Sequence, residues 1–263
     1  MKLSIIVPAL NEAGAIEATL RPMQSWRGAG CEVIVVDGGS SDATVGLAQP
    51  LADRVISSAH GRARQMNAGA AVATGGVLWF VHADTIAPEA ATTAILAALG
   101  FANQLAPTVS GLAGNEISFD GAAGDGVAAS VSRGDGVAAN VFPCWGRFDV
   151  TISGRSAMLC VIAWCMNRRS RLTGIATGDQ AIFMTRAAFD AAGGFPDQPL
   201  MEDIDMSRRL KRLGRPACLG KKVTTSGRRW EQRGVWRTIW LMWRLRLAYF
   251  FGASLEYLAA RYR

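Results

Sequence analysis

Histidine and cysteine are scarce in this chain, and the cysteines are not clustered. Among 263 residues there are two histidines and five cysteines, and no two cysteines have the Cys-x-x-Cys spacing. An odd number of scattered cysteines argues against a disulfide framework and against a structural zinc site. Such usage is typical of a reducing compartment, so we expect a cytoplasmic protein.

The sequence also lacks an apolar run suited to crossing a membrane. The longest uncharged stretch, residues 90–115, is interrupted by Asn103, Gln104 and Pro107 as well as by glycines. A membrane-spanning helix needs about 20 predominantly apolar residues. The apolar run at residues 3–7 is too short for a signal peptide and ends at Pro8. We therefore expect neither a transmembrane helix nor a signal peptide.

Two common nucleotide-binding motifs are missing. No Gly-x-Gly-x-x-Gly follows a predicted strand, and no Gly-x-x-x-x-Gly-Lys-Ser/Thr occurs anywhere in the sequence. The first absence argues against a nicotinamide-dependent dehydrogenase, and the second argues against a P-loop nucleotide hydrolase.

Positive charge is concentrated at one end of the chain. The formal net charge is +7, and residues 228–263 contain eight arginines against two glutamates. The remainder is therefore close to neutral. A nucleic-acid-binding domain would more often carry a basic face across its fold, so we expect no nucleic-acid partner.

Strand and helix patterns alternate over the first hundred residues. Such alternation predicts an α/β fold with a mostly parallel central sheet and helices on both faces. Farther along, the pattern predicts a helix at 153–169, a strand at 181–184 and a helix at 201–213. The predicted early strands are 3–7, 33–36, 55–57 and 77–81, with helices beginning near 12, 43, 63 and 88.

Residues 103–150 differ in composition from the rest. They are rich in glycine and alanine and include an imperfect ten-residue repeat, which begins at Gly124 and again at Gly134. We interpret this segment as an insertion, with a possible strand at 116–119. It is either a sequence-tolerant surface loop or a lid that covers an acceptor.

Polar motifs follow the predicted strands in a fixed order. Ligands of parallel α/β sheets bind outside the carboxyl ends of the strands, so these motifs are candidates for one shared site. The series is Pro-Ala-Leu-Asn-Glu at 8–12, Asp-Gly-Gly-Ser-Ser-Asp at 37–42, Gly-Arg-Ala-Arg-Gln-Met-Asn at 61–67, His-Ala-Asp at 82–84, Gly-Asp-Gln at 178–180 and Glu-Asp at 202–203.

This series resembles that of the family-2 glycosyltransferases, which are inverting enzymes with the GT-A fold. It is particularly similar to a small bacterial subgroup with V-P-x-L-N-E, V-D-G-G-S-x-D, Q-M-N-x-G, H-A-D-T and M-E-D motifs. The resemblance covers roughly residues 1–100 and 170–260. It does not cover 103–150.

The resemblance implies a GT-A domain over residues 1–230, followed by a C-terminal amphipathic helix over 231–263. Within the domain it implies a nucleotide-sugar-binding half at 1–100 and an acceptor half at 151–230. The 103–150 insertion would separate these halves.

A divalent cation is also implied, because cleavage of a sugar–diphosphate bond leaves a doubly charged leaving group. Asp84 matches the last aspartate of the family's metal-binding motif, and His82 stands where its first aspartate is usual. Imidazole is a tolerable ligand for Mn²⁺ and a poor one for Mg²⁺, so the expected cofactor is either Mn²⁺ or Mg²⁺ and His82 leaves the choice open. His82 could instead contact the donor or pack structurally, and Asp84 could cap the helix that starts near Pro88.

Further residues of the motifs are expected to bind the nucleotide-sugar donor. Asp37 would accept a hydrogen bond from the base, with uracil favoured, although it could merely form a turn. Arg64 would meet phosphate or ribose oxygens at a helix start, unless it is simply exposed. The full donor set is Pro8, Ala9, Glu12, Asp37, Arg64, Gln65, Asn67, His82, Asp84 and Arg229.

On the acceptor side, the resemblance implies a general base in the Glu-Asp pair. Asp203 is the expected base and Glu202 the second choice, although both acids could only cap the helix that follows. Asp179 and Gln180 would shape the acceptor site. Trp230 would stack on an acceptor sugar.

The C-terminal segment predicts a long helix with a possible break at Gly252 and with two distinct faces. Such a helix could lie in the interface of an anionic membrane, or it could pack on the protein's own core. The predicted apolar face consists of Trp236, Ile239, Trp240, Trp243, Leu247 and Phe250, and the cationic face consists of Arg233, Arg237 and Arg244.

The resulting hypothesis is a metal-assisted glycosyltransferase. It would move a sugar from a nucleotide-sugar, with UDP-sugars favoured, to a glycan or lipid-linked acceptor. The location would be cytoplasmic, with possible peripheral contact at the inner face of the cell membrane. One alternative is a catalytically degenerate nucleotide-sugar-binding protein. The other is a sugar nucleotidyltransferase, which would want a glycine-rich basic loop after the first strand instead of Pro-Ala-Leu-Asn-Glu.

Overall fold

The computed structural model describes residues 1–101 and 142–262, and its centre is one mixed sheet. The strand order across this sheet is β3-β2-β1-β4-β7-β6-β8-β5. The strands are β1 Leu3–Ala9, β2 Glu32–Asp37, β3 Arg54–Ser57, β4 Val77–Phe80, β5 Thr85–Ile86, β6 Trp145–Ser153, β7 Phe183–Thr185 and β8 Ala217–Ser226.

Helices and short 3-10 turns connect the strands. The turns are Arg21–Met23, Gln49–Leu51 and Gly178–Gln180. The helices are α1 Ile16–Leu20, α2 Gln24–Gly28, α3 Thr44–Ala48, α4 Arg62–Val72, α5 Ala91–Ala98, α6 Met158–Thr173, α7 Arg186–Ala191, α8 Glu202–Leu213, α9 Arg228–Arg233, α10 Val235–Phe250 and α11 Leu255–Tyr262.

The N-terminal half of the sheet is parallel, as its alternating pattern predicts. β1 pairs in parallel with β2 on one side and with β4 on the other. In this register Ala9 lies beside Asp37, the last residue of β2. The polar segments that follow β1, β2 and β4 therefore leave the sheet at one edge.

Both faces of the sheet are buried. Ile5 and Val7 of β1 belong to one apolar cluster, whereas Ile6 between them belongs to a second cluster on the opposite face. Successive side chains of a strand point to opposite faces, so this division shows that helices cover the sheet on both sides. The fold is thus the mixed α/β architecture of the GT-A class that the sequence predicts.

The predicted insertion at 103–150 extends too far. Its last residues, from Trp145 onward, form the start of β6 in the interior of the sheet. Arg147 in this strand is completely buried and pairs with Asp149, which also accepts a hydrogen bond of 2.7 Å from Arg171. The sequence pattern did not predict this strand because it contains charged residues and follows a glycine-rich segment. The strand predicted at 116–119 lies outside the described residues.

Two predicted helices are divided. The helix expected from residue 12 to 26 is α1 and α2, separated by a 3-10 turn that contains Pro22. The C-terminal helix is α10 followed by α11, with Gly252 between them at a φ of +82°. Proline lacks a backbone donor and glycine adopts positive φ readily, so each residue marks a natural break.

Candidate active site

The loops after β1 and β2 form one hydrogen-bonded unit. The backbone N–H of Asn11 donates to Ser40 Oγ over 2.9 Å, and Asn11 Oδ1 accepts a 2.8 Å hydrogen bond from the backbone of Ser41. Asn11 has a φ of +52°, a left-handed conformation that asparagine tolerates better than most residues. The backbone N–H of Glu12 donates to Thr44 Oγ1 over 2.8 Å. These contacts fix the rim of the cleft beside β1.

Asp37 is buried at the base of this rim. Its carboxylate accepts hydrogen bonds from the backbone of Gly39 at 2.9 Å and of Ser40 at 3.0 Å. The carboxylate therefore shapes its own loop. The Ser40 N–H also lies 3.2 Å from Oδ1, so about one of the four acceptor positions of the ionised carboxyl group is left for a further donor.

Two of the expected donor residues have structural contacts instead. The Gln65 amide is buried and donates to the carbonyls of Ala9 and Val36 at 2.7 and 2.9 Å. Asn67 exchanges two hydrogen bonds with the backbone of Phe195. These amides hold α4 against its neighbours, which differs from the predicted contacts with phosphate or ribose.

Arg64 points to the surface, where its Nε lies 2.8 Å from Asp197 Oδ1 in an exposed ion pair. Arg62, at the first position of α4, is the arginine that faces the acidic residues of the site. Its Nη1 lies 3.8 Å from Glu202 Oε1. The arginine that faces the site is therefore Arg62 and not the predicted Arg64. Arg62 lies two positions earlier in the chain, or about half a helical turn away.

Pro8 and Ala9 are buried in β1, and the Ala9 carbonyl is used by Gln65 and by the backbone of Gly38. Glu12 is at the rim, where its Oε2 accepts a 3.0 Å hydrogen bond from Arg228. This ion pair connects the loop after β1 with α9, although 216 residues separate the two partners.

A group of acidic residues converges opposite this rim. His82 Nδ1 lies 3.3 Å from Asp179 Oδ1, which links the end of β4 to the 3-10 turn Gly178–Gln180. The backbone N–H of Gly178 in turn donates to Asp203 Oδ2 over 2.8 Å. The structure thus brings together the predicted motifs at 82–84, 178–180 and 202–203.

Arg62 is the cation shared by this group. Desolvation opposes its charged form, but the carboxylates of Glu202, Asp179, Asp203 and Asp84 outweigh that effect and raise the pKa of the guanidinium. All four acids are therefore within electrostatic reach of one arginine. The donor set expected from the sequence includes Arg64 of the same basic motif but not Arg62.

Asp203 has a strongly perturbed carboxyl group. Desolvation, followed by the charge of Glu202, raises its pKa to about 6, against the lowering effects of the Gly178 and Ile204 amides and of Arg62. The Ile204 N–H donates to Asp203 Oδ1 over 2.7 Å. A carboxylate with a pKa near the operating pH is suited to accept and release a proton.

Asp179 shifts in the opposite direction. Desolvation raises its pKa, but the hydrogen bond and charge of His82, together with Arg62 and Arg229, lower it overall. The pKa values of Asp179, on the 3-10 turn, and of Asp203, at the start of α8, are thus shifted in opposite directions. Such a difference separates a group that stays ionised from one that exchanges a proton.

His82 is packed in a way that does not suit a metal ligand. Its Nε2 is buried without a hydrogen-bond partner, and a Cβ added to Gly178 would lie 2.5 Å from this nitrogen. The other nitrogen faces Asp179. In this arrangement Nε2 is enclosed by Gly178 and Nδ1 faces Asp179, so the imidazole is held as a partner of Asp179.

Within residues 1–101 and 142–262, no three histidine, cysteine or acidic side chains are grouped to hold a metal ion. The partly buried carboxylate of Asp84, next to the end of β4, is the predicted ligand whose chemistry fits. Mg²⁺ in phosphate-binding sites is often held by one or two carboxylates together with substrate phosphates and water. A single protein carboxylate is compatible with that mode of binding.

Arg229 faces the same end of the site. Desolvation lowers the pKa of its guanidinium, as do Arg62 and Arg233, while Asp179 and Asp84 oppose that effect. Trp230, the next residue, is partly buried against the main core and lines a groove with Arg155 and Ser156. The predicted arginine and tryptophan therefore lie on two adjoining surfaces.

Gln180 is completely buried, unlike the predicted acceptor contact. Its Oε1 accepts a hydrogen bond of 3.2 Å from the Thr177 backbone, and its amide lies 3.4 Å from Asn167 Oδ1. It stabilises the turn that presents Asp179. Of the predicted pair, Asp179 alone is exposed to the cleft.

A family match covers the N-terminal part of the chain. Residues 4–109 match the family model described as glycosyl transferase family 2. A PGL/p-HBAD biosynthesis glycosyltransferase of Mycobacterium tuberculosis is 37% identical over 102 residues, which cover 36% of this chain and 40% of that protein. The matched part therefore spans well under half the length of this relative.

Solved structures share the fold at low sequence identity. Staphylococcus aureus TarS, in a complex with UDP-GlcNAc, has a TM-score of 0.58 and 15% identity over 86% of this chain and 58% of that chain. The mannosyltransferase PcManGT of Pyrobaculum calidifontis, in a complex with GDP-Man and Mn²⁺, has a TM-score of 0.54 and 20% identity over 94% of this chain and 60% of that chain. The sequence match to glycosyl transferase family 2 covers residues 4–109, which is less than half of the chain, and the described part of the chain shares the GT-A fold of these solved structures.

Proposed function

We propose that this protein transfers a sugar from a nucleotide-diphosphate sugar to an acceptor hydroxyl or phosphate, with inversion at the anomeric carbon. The observation that supports this most strongly is the position of Asp203. Its carboxyl group, with a pKa of about 6, shares Arg62 with Asp84 and Asp179 at one edge of the sheet. A base, a leaving-group site and cationic groups are thus available in one cleft.

The donor nucleotide would lie on the rim formed by the loops after β1 and β2. Asp37 has remaining acceptor capacity for a base N–H, which favours uracil in a UDP-sugar. Glu12, with Arg228 bound to it, borders the same rim. The complexes of TarS with UDP-GlcNAc and of PcManGT with GDP-Man support a nucleotide-sugar as the donor class.

The donor diphosphate would lie between Asp84 and the arginines at positions 62 and 229. A Mn²⁺ or Mg²⁺ ion held by Asp84 and the diphosphate would neutralise charge on the leaving group. Arg62 and Arg229 interact electrostatically with Asp84 and Asp179, which places both guanidinium groups near the proposed diphosphate site. They would add positive charge there. The complex of PcManGT with Mn²⁺ supports a divalent cation.

Asp203 would act as the general base. Its carboxylate would remove the proton of the incoming acceptor oxygen as that oxygen attacks the anomeric carbon. Backbone donors from Gly178 and Ile204 orient the carboxylate. Glu202 is buried and pairs with Arg62, so we assign it to positioning this arginine and not to proton transfer.

The acceptor would enter beside Trp230 and Asp179. The groove along Trp230 is bordered by Arg155, Ser156 and Glu231, a combination of one aromatic face with polar groups that suits a sugar. The acceptor is therefore proposed to be a glycan or a lipid-linked molecule. We also propose a cytoplasmic location, with peripheral contact at the inner face of the cell membrane.

Transfer assays with a panel of nucleotide-sugars, with and without Mn²⁺ or Mg²⁺, test this function. We expect turnover or slow donor hydrolysis with at least one UDP-sugar, dependent on the cation and lost in Asp203→Asn. Asp205→Asn is the matched control, because Asp205 pairs with Arg209 on the same helix at 2.8 Å. Equal activity of Asp203→Asn and wild type would overturn the assignment of the base.

A second candidate function is a nucleotide-sugar-binding protein without catalysis. The packing of His82, at a position where the family usually has an aspartate, favours it. Saturable UDP-sugar binding without hydrolysis or transfer under any cation condition would support this candidate over the transferase.

A further inference from the structure

The outward face of α10 carries a row of exposed apolar side chains. Trp236, Trp240 and Trp243 are 71%, 67% and 73% exposed, and Leu247 and Phe250 continue the row at 59% and 72%. The spacing alternates between four and three residues, which places all five within an arc of about 80° on a helix. They form a stripe about 20 Å long, which we call the α10 stripe.

The α10 stripe lies on the side of the helix that does not pack on the protein. The opposite face of α10 supplies Leu241 and Leu245, which pack in a cluster with Met201 and Ile204 of the α8 region. The helix is therefore held on the protein by one side while its aromatic side faces outward. Exposed apolar patches of this kind on a folded protein usually mark an interaction surface.

Positive charge lies beside the stripe. Arg237 and Arg244 are exposed and lie about 90° around the helix from its centre. α10 contains no acidic residue in its sequence. Tryptophan favours the headgroup depth of a bilayer, and arginine at the margin of an apolar face complements anionic lipid. A protein partner would not require this combination.

We propose that the α10 stripe docks on an anionic lipid surface, with the helix axis parallel to the bilayer. None of the helices in the described part of the chain is long and apolar enough to cross a membrane. The stripe provides contact at the interface, with Arg237 and Arg244 at the level of the lipid phosphates. Charge complementarity is the reason to choose anionic lipid over a second copy of this chain, which would bring like charges together.

Docking in this way would define the class of acceptor, a consequence that rests on the proposed transferase function. Ile204, next to Asp203, packs in the same cluster as the inner face of α10. α10 would therefore lie between the start of α8 and the lipid surface, so the general base would be at least about one helix diameter, roughly 10 Å, from that surface. An acceptor hydroxyl or phosphate attached to a lipid would have to extend over that distance from the lipid surface to reach Asp203.

Vesicle co-sedimentation of the full chain tests the docking. We expect binding to vesicles of phosphatidylcholine with phosphatidylglycerol, weaker binding to phosphatidylcholine alone and loss of binding at high salt. The triple substitution Trp236→Ser, Trp240→Ser, Trp243→Ser should weaken binding at least tenfold. Arg237→Ser with Arg244→Ser should remove the preference for anionic lipid. The matched controls are Arg212→Ser and Leu213→Ser, at the exposed far end of α8.

Thermal melting of each variant checks that the fold is kept, and the exposed positions predict little change. Absence of binding by wild type to anionic vesicles would overturn the proposal, as would unchanged binding by the triple variant. A concentration-dependent dimer that this variant loses, without vesicle binding, would identify a second copy as the occupant and also overturn it. Donor hydrolysis measured without vesicles tests the transferase separately, so failure of one proposal leaves the other measurable.

Discussion

Gly178 approaches His82 so closely that a Cβ on the glycine would lie 2.5 Å from the imidazole Nε2. The same glycine donates its N–H to Asp203, so one residue fixes the distance between the end of β4 and the proposed base. Packing between Gly178 and His82 therefore requires a residue without a Cβ at position 178. The close approach also explains why glycine is the first residue of this turn.

Gly178→Ala is therefore expected to destabilise the protein and to displace Asp203. Overpacking by one methyl group in a tight site costs about 1–3 kcal/mol. Urea unfolding measures the loss, and donor turnover should fall with it. Gly46→Ala in α3 is the matched control, because a Cβ there meets no atom within 4 Å. Unchanged stability of Gly178→Ala would show that His82 moves aside at little cost.

The pH dependence of turnover follows from the pKa of Asp203. A general base must be ionised, so kcat/KM should decrease as the pH falls through about 6. Asp203→Asn should lower kcat by about a hundredfold or more and should abolish this limb of the profile. Asp205→Asn should keep both. A limb that persists in Asp203→Asn would assign the titration to another group.

The sequence predicts the first half of the sheet well because its strands are short apolar runs followed by polar motifs. It fails for β6 and β8. Arg147 and Asp149 are charged letters whose burial depends on their pairing within the fold, and β8 contains the exposed pair Lys221–Lys222. The order of apolar and polar residues along the sequence does not show that charged residues are paired in the fold.

The candidate site was predicted in a similar, partial way. Motif order located Asp84, Asp179 and Asp203, because their strand and helix ends meet at one edge of the sheet. The contacts of Gln65 and Asn67 depend on the backbone of distant segments, such as Phe195, 128 residues away from Asn67. Side-chain identity alone does not distinguish these structural amides from ligand-binding amides.

The same carboxyl group should make stability depend on pH. The folded-state pKa of Asp203, about 6, exceeds the ordinary aspartate value of about 3.9, so the folded protein binds this proton more tightly. Its contribution to stability is complete below about pH 4 and is lost as the pH rises through about 6. Asp203→Asn should thus raise Tm relative to wild type near neutral pH, with the difference disappearing near about pH 4.

Thermal melts of both proteins across this range measure the effect, with Asp205→Asn as the reference for removal of a nearby charge. A difference in Tm that is the same at every pH would show that the pKa of Asp203 is not raised in the folded state. Opposite changes in stability and activity in Asp203→Asn are expected for a functional carboxylate held in a destabilising environment.

The ion pair between Glu12 and Arg228 should affect donor binding more than stability. It joins the rim proposed to bind the nucleobase to α9 at 3.0 Å. Because half of the Arg228 side chain is exposed, removal of the ion pair should cost less than about 1 kcal/mol of folding free energy. Glu12→Gln should loosen the rim and raise the donor KM severalfold while kcat stays close to wild type. Arg228→Gln should do the same, and the double variant should be no worse than either single variant, because both substitutions remove the same contact.

Glu17→Gln, which breaks the exposed pair with Arg21 on α1, is the matched control and should leave KM unchanged. Additive effects of the two single substitutions on KM would show that the residues act on the donor independently and not through their contact.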